Sequence, residues 1–206
     1  MPVSSPRPPV LCLASVSPRR RELLTQIGVP HVLAAPEVDE EALRGEAAAD
    51  YVVRVARAKA RSVASRGSAL PVLAADTIVV LDGQICGKPH SAERGIALLL
   101  ELSGRTHTVL TAVVLEAAGS LAHRVSSSEV RLRRLSRAEC IAYWESGEPR
   151  DKAGGYAVQG LGAVFVEHLA GSYSGVMGLP LFETAQLLAA AGVPCWQRAG
   201  GDDAAP

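Results

Sequence analysis

A candidate polyanion-binding motif stands near the start of the chain, where an apolar run gives way to hydroxyl and basic residues. Residues 13–22 read L-A-S-V-S-P-R-R-R-E. Ser17 suits the N-cap of a helix, and Pro18 suits the first helical position. Arg19 and Arg20 then oppose the helix dipole, so a bound anion would stabilise this turn. The alternative is an ordinary solvated turn rich in arginine.

Two further charged residues interrupt apolar patterns in which a charge is costly. Lys59 falls on the apolar stripe of a predicted helix over residues 48–65, where a core-facing side chain is expected. Asp76 is the single charge of the apolar run 72–81, and a buried carboxylate needs a cation, a metal or hydrogen-bond donors. The alternatives are a lysine whose amine snorkels to solvent, and a strand that breaks at Asp76.

An acidic loop and a lysine turn complete the set of candidate ligand-binding groups. Residues 37–41 read E-V-D-E-E, and residues 87–89 read G-K-P, a glycine turn that presents Lys88. Several cations with a few carboxylates suit a nucleoside triphosphate and a divalent metal, because cations offset phosphate charge and carboxylates hold a hard metal or activate water. The chain contains neither G-x-x-x-x-G-K-[ST] nor G-x-G-x-x-G, so a P-loop and a Rossmann turn are excluded.

Helices and strands alternate along the chain that must position these residues. Strands are predicted at residues 10–14, 31–34, 72–81, 106–116, 121–135 and 163–169. Helices are predicted from residue 18 to a glycine stop at residue 28, and at residues 48–65, 91–102, 137–145 and 180–191. A tight turn at residues 117–120 joins the two longest strands into an antiparallel hairpin. We therefore expect an α/β fold with a mixed sheet.

Length and charge restrict the classes of function. The 206 residues suit one domain, expected over residues 10–198 with disordered tails at 1–9 and 199–206. With 21 basic and 21 acidic residues the net charge is zero, which argues against nucleic acid or a membrane surface as a partner. Four cysteines without a C-x-x-C pair indicate reduced thiols in a cytoplasm, and five scattered histidines argue against a zinc site.

The motifs together resemble the Maf family of nucleoside triphosphate pyrophosphatases, from about residue 10 to residue 192. Eight motifs stand in the family's order: L-A-S-x-S-P-R-R with E-L-L from residue 13, A-K-A at 58–60, A-D-T at 75–77, G-K-P at 87–89, S-G-R-T-H at 103–107, D-K-A-G at 151–154, Q-G at 159–160 and G-L-P at 178–180. Gly155 departs from an expected alanine. The resemblance implies a single two-lobed Maf/ITPase-like α/β domain, with an elongated mixed sheet, flanking helices and a cleft between the lobes. It also implies hydrolysis of a nucleoside triphosphate to the monophosphate and pyrophosphate.

The resemblance also assigns roles position by position. Asp76 corresponds to the family's proposed general base, although a role as metal ligand alone stays open. The positions tied to substrate choice correspond to Arg19, Thr77 and Gln159. The phosphate-binding positions correspond to Ser15, Arg20, Lys59 and Lys88. The resemblance implies Mg²⁺ or Mn²⁺ as cofactor, held by Asp76 and Glu40, and a homodimer is compatible with it.

The hydrogen-bonding groups of the Gln159 side chain indicate which base the protein binds. The amide offers one acceptor and one donor pair, which complement N3–H and O4 of uracil or thymine. The family's 7-methyl-GTP branch has glutamate here, which suits the donors of a cationic purine. Gln159 therefore favours the branch that resembles dTTP/UTP pyrophosphatases, with modified pyrimidine nucleotides as further substrates. Because an amide can also read N1–H and O6 of guanine, 7-methyl-GTP or another base remains an alternative.

Two other classes of function compete with hydrolysis. Members of this family have been linked to septation, so the chain could be a nucleotide-binding regulator of cell division. Residues 19–21 could instead bind a phosphorylated protein or RNA. Against RNA stand the zero net charge and the scarcity of aromatic residues, 8 among 206.

Overall fold

The computed structural model describes residues 8–196, and these contain seven strands. They are β1 (Leu11–Ala14), β2 (His31–Ala34), β3 (Val72–Leu81), β4 (Gln84–Cys86), β5 (Thr106–Ala117), β6 (Ser120–Leu132) and β7 (Val166–Ala170). The helices are α1 (Pro18–Gln26), α2 (Ala48–Ala64), α3 (Ala92–Leu102), α4 (Arg137–Glu145), α5 (Tyr173–Met177) and α6 (Leu181–Ala190). Three short 3-10 helices lie at Glu148–Asp151, Ala153–Gly155 and Leu161–Phe165.

The seven strands form one mixed sheet, as predicted. Its order is β2-β1-β3-β5-β6-β7, with β4 paired separately to β3. The pairs β1–β2 and β1–β3 are parallel, while the remaining pairs are antiparallel. Parallel neighbours need a crossover, which α1 and α2 supply, whereas β5 and β6 need only a tight turn.

One edge of β3 is covered by strands at its two ends and open in the middle. β1 pairs with Val72 and Leu73, and β4 pairs with Val79–Leu81. β5 runs along the whole opposite edge. Between the two short partners, the described residues place no strand beside residues 74–78. This opening separates a first lobe, with β1, β2, α1, α2 and α6, from a second lobe, with β4, β7, α3 and α4.

Side-chain alternation along β3 sends its residues to two different helical layers. Val72, Ala74 and Ile78 pack in one cluster with residues of α2. Leu73 and Ala75 pack on the other face with residues of α1 and α6. Because successive side chains of a strand point to opposite faces, the even-numbered residues face α2, whereas Leu73 and Ala75 face α1 and Val79 packs in the core of the second lobe. The second lobe has its own core beneath α3 and α4, which includes Leu98, Leu102, Val130, Cys140 and Tyr143.

The later part of the chain departs from the predicted elements. The predicted strand 121–135 ends at Leu132, and the predicted strand 163–169 is a 3-10 helix followed by β7. Residues 171–178, for which neither a helix nor a strand was predicted, contain α5, whose first turn is capped by Ser172 Oγ at 2.9 Å from the amide of Gly175. A five-residue helix is too short to show a helical repeat of apolar residues.

Three further features concern the ends of the chain, the cysteines and the apolar character of the helices. The predicted tails and the domain end at residue 198 lie outside the described residues, apart from Pro8 and Pro9, which lie in no helix or strand. All four cysteines are free thiols. Among residues 8–196, no helix has both the length and the apolar character needed to cross a membrane.

Candidate active site

A cavity of about 290 Å³ lies at the open edge of β3, lined by residues of both lobes. Every site residue predicted from the sequence lines this cavity. They are Ser15, Arg19, Arg20, Glu40, Lys59, Asp76, Thr77, Lys88 and Gln159. The fold therefore brings together residues that are separated by as much as 144 positions in the sequence, from Ser15 to Gln159.

A buried ion pair stands at the base of the cavity. Lys59 and Asp76 are each 6% exposed, and Lys59 Nζ lies 2.7 Å from Asp76 Oδ1. Lys59 faces β3 from α2, and Asp76 is on the α2 face of β3, which continues unbroken through it. The alternatives of a snorkelling lysine and a strand broken at Asp76 are therefore wrong. Each charge persists in the interior because the other accompanies it.

Glu40 joins this pair from the acidic loop. Its Oε1 lies 2.7 Å from Lys59 Nζ, and its Oε2 lies 3.9 Å from Lys88 Nζ. Tyr51 Oη donates to the backbone oxygen of Glu40 at 2.7 Å, which fixes the loop against α2. Burial opposes ionisation of Glu40, but its hydrogen bond and ion pair with Lys59 prevail and lower its pKa below the usual value. Glu40 therefore carries its charge at neutral pH.

Arg20 is held on the other face of β3. Its Nε donates to the carbonyl oxygen of Gly178 at 2.8 Å, and its Nη2 donates to Thr77 Oγ1 at 3.3 Å. Thr111 Oγ1 lies 3.0 Å from Thr77 Oγ1 and donates to Gly175 at 2.7 Å. Burial lowers the pKa of Arg20, but a guanidinium stays protonated in proteins. This arginine is therefore a fixed cation and not part of a solvated turn.

The start of α1 forms a wall of the cavity. Ser17 occupies the predicted N-cap position, but its hydroxyl makes no capping hydrogen bond. Its own N–H donates instead to Ser15 Oγ at 3.1 Å. Within residues 8–196, no side chain caps the first turn of this helix. Its positive end therefore remains available to an anion in the cavity.

The second lobe contributes Lys88, Gln159 and two residues for which no role was predicted from the sequence. Asp151 and Lys152 line the cavity, are ion-paired to each other, and Asp151 also lies 3.4 Å from Arg19 Nη1. Their signal in the sequence was the D-K pair next to a glycine run. That run is close-packed, since a Cβ on Gly154 would lie 2.7 Å from Val79 Cγ2. Gln159 is exposed at the tip of a turn in the cavity wall.

The donor set suits a hard divalent cation that also binds phosphate. Glu40 and Asp76 each have an oxygen 2.7 Å from Lys59 Nζ, so those two oxygens are at most twice that distance apart. No group of three or more His, Cys, Asp and Glu side chains that could hold a metal occurs in the described part of the chain. Two carboxylates are nevertheless typical of Mg²⁺ sites in which substrate phosphates and water supply the other ligands.

Comparison of the sequence with known proteins shows its family. A family model described as Maf-like protein matches residues 10–191. The chain belongs to the Maf family. A dTTP/UTP pyrophosphatase of Saccharophagus degradans is 52% identical over 91% of this chain and 91% of its own length. One of Alkalilimnicola ehrlichii is 54% identical over 87% and 92%, and one of Bordetella avium is 52% identical over 90% and 96%.

A solved structure is also similar to this Maf chain. The Ham1 protein of Staphylococcus aureus aligns with a TM-score of 0.46 at 14% sequence identity, covering 87% of this chain and 96% of that one.

Proposed function

We propose that this protein hydrolyses dTTP and UTP to the nucleoside monophosphate and pyrophosphate. Relatives that share about half of its residues over most of its length are named dTTP/UTP pyrophosphatases. The observation that carries the proposal is a cavity in which fixed cations, a buried carboxylate and an exposed amide stand together. These are the groups needed to hold a triphosphate, activate water and recognise a base.

The triphosphate would lie between the two lobes. Arg20 and the start of α1 approach from the first lobe, and Lys88 approaches from the second. Arg20 is already oriented by Gly178 and Thr77, so it gives up little conformational freedom on binding. Lys88 has a half-exposed side chain and is free to follow the phosphates. Cations at these positions would stabilise the charge that develops on departing pyrophosphate.

Asp76 would accept a proton from the attacking water. Its Oδ1 is engaged by Lys59, while its Oδ2 has no hydrogen-bond partner among residues 8–196. In hydrolysis, a water oxygen forms a bond to the α- or β-phosphorus, and that phosphorus loses its bond to the oxygen that bridges the two. One proton of the water passes to Asp76 Oδ2, and the monophosphate and pyrophosphate are released. Lys59 Nζ donates to Asp76 Oδ1 at 2.7 Å and so fixes the orientation of the carboxylate.

Glu40 and Asp76 would hold the divalent metal, Mg²⁺ or Mn²⁺. When bound, such an ion neutralises phosphate charge and orients phosphate oxygens. Lys59 then retains a second function, because its ammonium stands between the two carboxylates and limits their mutual repulsion. The lysine and the metal thus share the same pair of acidic side chains.

Gln159 would read the base. Its amide can donate to O4 and accept from N3–H of uracil or thymine. Tyr156, Val158 and Met177 also line the cavity and offer apolar surface for a planar ring. A reaction on free nucleotides agrees with a cytoplasmic location, where those nucleotides occur.

A substrate panel tests the proposal. The purified protein is incubated with dTTP, UTP, CTP, 7-methyl-GTP or ITP, with Mg²⁺ or Mn²⁺, and the release of pyrophosphate and monophosphate is measured. We expect the highest kcat/KM for dTTP and UTP. Preference for 7-methyl-GTP would reject the base assignment. Absence of turnover on every nucleotide would reject the enzyme and favour a nucleotide-binding regulator of cell division.

A further inference from the structure

The turn that presents Gln159 is hydrogen-bonded to side chains that do not line the cavity. Gly160 N donates to the carbonyl oxygen of Ala157 at 3.3 Å and closes the turn. Gln159 is exposed at its tip, while the preceding residues 156–158 are buried. A single backbone hydrogen bond does not fix the direction of an exposed side chain. The position of the amide therefore depends on how the two ends of the turn are attached.

Both ends are attached to one pair of polar side chains. Ala157 N donates to Tyr143 Oη at 3.0 Å on one side of the turn. On the other side, Leu161 N donates to Glu148 Oε2 at 2.9 Å, and Gly162 N donates to Glu148 Oε1 at 2.9 Å. Tyr143 Oη itself donates to Glu148 Oε1 at 2.7 Å. We call this arrangement of Tyr143 and Glu148 the clamp.

Two glycines allow the turn to lie directly against the clamp. A Cβ on Gly160 would lie 2.1 Å from Glu148 Oε2, and a Cβ on Gly162 would lie 2.6 Å from Tyr143 Oη. A side chain at Gly160 would displace the carboxylate of Glu148, and one at Gly162 would meet Tyr143 Oη and the backbone of Ala157. The backbone of the turn thus approaches the carboxylate and hydroxyl as closely as hydrogen bonding requires.

Within the described residues, the carboxylate of Glu148 accepts hydrogen bonds only from the turn and from Tyr143. Its hydrogen-bond donors within the described residues are one hydroxyl and two backbone amides, while Lys152 Nζ reaches the backbone oxygen of Glu148 at 3.1 Å. Burial opposes its ionisation, but the hydrogen bonds from Gly162, Leu161 and Tyr143 outweigh burial and lower the pKa of Glu148. An ionised acceptor makes stronger hydrogen bonds than a neutral one. Neither member of the clamp lines the cavity.

We propose that Tyr143 and Glu148 are positioning residues for base recognition, which hold residues 157–162 so that Gln159 meets the edge of the pyrimidine. This inference rests on the proposed function, because it assigns to Gln159 the contact with the base. The clamp acts on the orientation of the amide and leaves the phosphate-binding residues in place.

The substitution Glu148→Gln tests the clamp at nearly constant shape. The side chain of glutamine has one acceptor oxygen. At least one of the backbone N–H groups of Leu161 and Gly162 then faces the side-chain NH2 group and loses its acceptor. Tyr143→Phe is a second variant that leaves Ala157 N without its acceptor. Glu145→Gln, on an exposed glutamate at the end of the helix α4 that carries Tyr143, is the matched control.

The kinetic signature separates positioning from general damage. We expect KM for dTTP to rise about tenfold in Glu148→Gln, with the dTTP to CTP ratio of kcat/KM falling by a similar factor. The inhibition constant of inorganic tripolyphosphate, which carries no base, should stay within about twofold, and Glu145→Gln should match the wild type. Tyr143→Phe should shift the same ratio in the same direction by a smaller factor.

Hydrogen exchange provides a readout that does not depend on turnover. The amide of Leu161 or Gly162 should exchange faster in Glu148→Gln, and the amide of Ala157 should exchange faster in Tyr143→Phe, while amides of β3 remain unchanged in both variants. Unchanged base selectivity in both variants, or a parallel loss of tripolyphosphate binding, would overturn the positioning role. A wild-type protein that hydrolyses neither dTTP nor UTP would refute the proposed function instead. Unchanged exchange at all three amides would then refute the clamp separately.

Discussion

The three charges at the base of the cavity are not equivalent, because one cation serves two anions. Lys59 Nζ lies 2.7 Å from an oxygen of Asp76 and 2.7 Å from an oxygen of Glu40. Removing either carboxylate leaves the ammonium with a partner. Removing the lysine leaves a buried carboxylate without its cation and brings two like charges together. Stability and catalysis should therefore respond to different members of the same cluster.

Replacing Asp76 should affect turnover and spare the fold. Asp76→Asn keeps the shape of the side chain, and Glu40 still accompanies Lys59, but an amide neither accepts the water proton nor carries charge for a metal. We expect kcat for dTTP to fall at least about 100-fold, the lower range for general-base catalysis. Turnover and thermal unfolding are measured together, with the exposed Asp50→Asn as control. Turnover near the wild-type rate would remove Asp76 from the mechanism.

Replacing Lys59 should damage the fold itself. Lys59→Met keeps the apolar length of the side chain but leaves Asp76 buried and unpaired. Breaking a buried ion pair from one side costs about 3–5 kcal/mol. Chemical denaturation at neutral pH measures this loss, and the exposed Arg61→Met on the same helix is the control. A loss smaller than about 1 kcal/mol would show that Asp76 is satisfied without the lysine.

Replacing Gln159 tests the assignment of the base. Gln159→Glu keeps the size of the side chain but removes the donor that faces O4 of uracil or thymine, so that two acceptors oppose each other. We expect kcat/KM for dTTP and UTP to fall by about tenfold or more, and the ratio of 7-methyl-GTP to dTTP turnover to rise. The same nucleotide panel measures both quantities. A variant as active on dTTP as the parent would show that Gln159 does not read the base.

At the scale of elements, the start of α1 and the open edge of β3 create the site. The apolar run that forms β3 and the proline start of α1 are local patterns, so both elements were predictable from the sequence. Asp76 and Lys59 were recognisable because each is a charge within an apolar pattern. Their contact was not predictable from spacing, since it depends on α2 packing against the even-numbered face of β3.

Other elements left no local signal in the sequence. α5 and the 3-10 helices are three to five residues long, shorter than any periodic pattern. Glu148 reads as an ordinary acid in a turn, and its role emerges from amides 13 and 14 positions away. The alternative of a solvated arginine-rich turn is wrong for Arg20, because the carbonyl of Gly178 and the hydroxyl of Thr77 accept its hydrogen bonds.

Arg20 and Lys88 should therefore respond differently to truncation. Lys88→Ala should weaken dTTP hydrolysis and leave the free energy of unfolding unchanged within about 0.5 kcal/mol, because its side chain is half exposed. Arg20→Ala should weaken hydrolysis and also cost about 1–3 kcal/mol, because buried acceptors lose their donor. The double variant should lose less than the sum of the single losses in kcat/KM if both contact one triphosphate. Fully additive losses would place the two cations on separate surfaces.

At the scale of the whole molecule, the open edge of β3 divides the protein into lobes that meet at the cavity. Ser15, Arg20 and Lys59 belong to the first lobe, while Lys88 and Gln159 belong to the second. Three long strands, β3, β5 and β6, run through both lobes and align the two walls. A nucleotide in the cavity would contact both lobes at once, at the edge of β3 where residues 8–196 place no strand beside residues 74–78.

Ligand binding across the lobes should consequently stabilise the whole fold. A dTTP analogue with a methylene bridge between the α- and β-phosphorus cannot be cleaved there, so it reports binding alone. At about 100 times its Kd it should add about 2.7 kcal/mol to the free energy of unfolding, which corresponds to a rise in Tm of about 5–10 °C for a protein of this size.

At the same concentration, dTMP should give a much smaller rise, because it lacks the phosphates that Arg20 and Lys88 would bind. Lys88→Ala should reduce the shift with the analogue and leave the shift with dTMP nearly unchanged. Equal shifts for dTMP and the analogue would mean that the cations do not bind the triphosphate, and the cavity would have to be assigned to a different class of ligand.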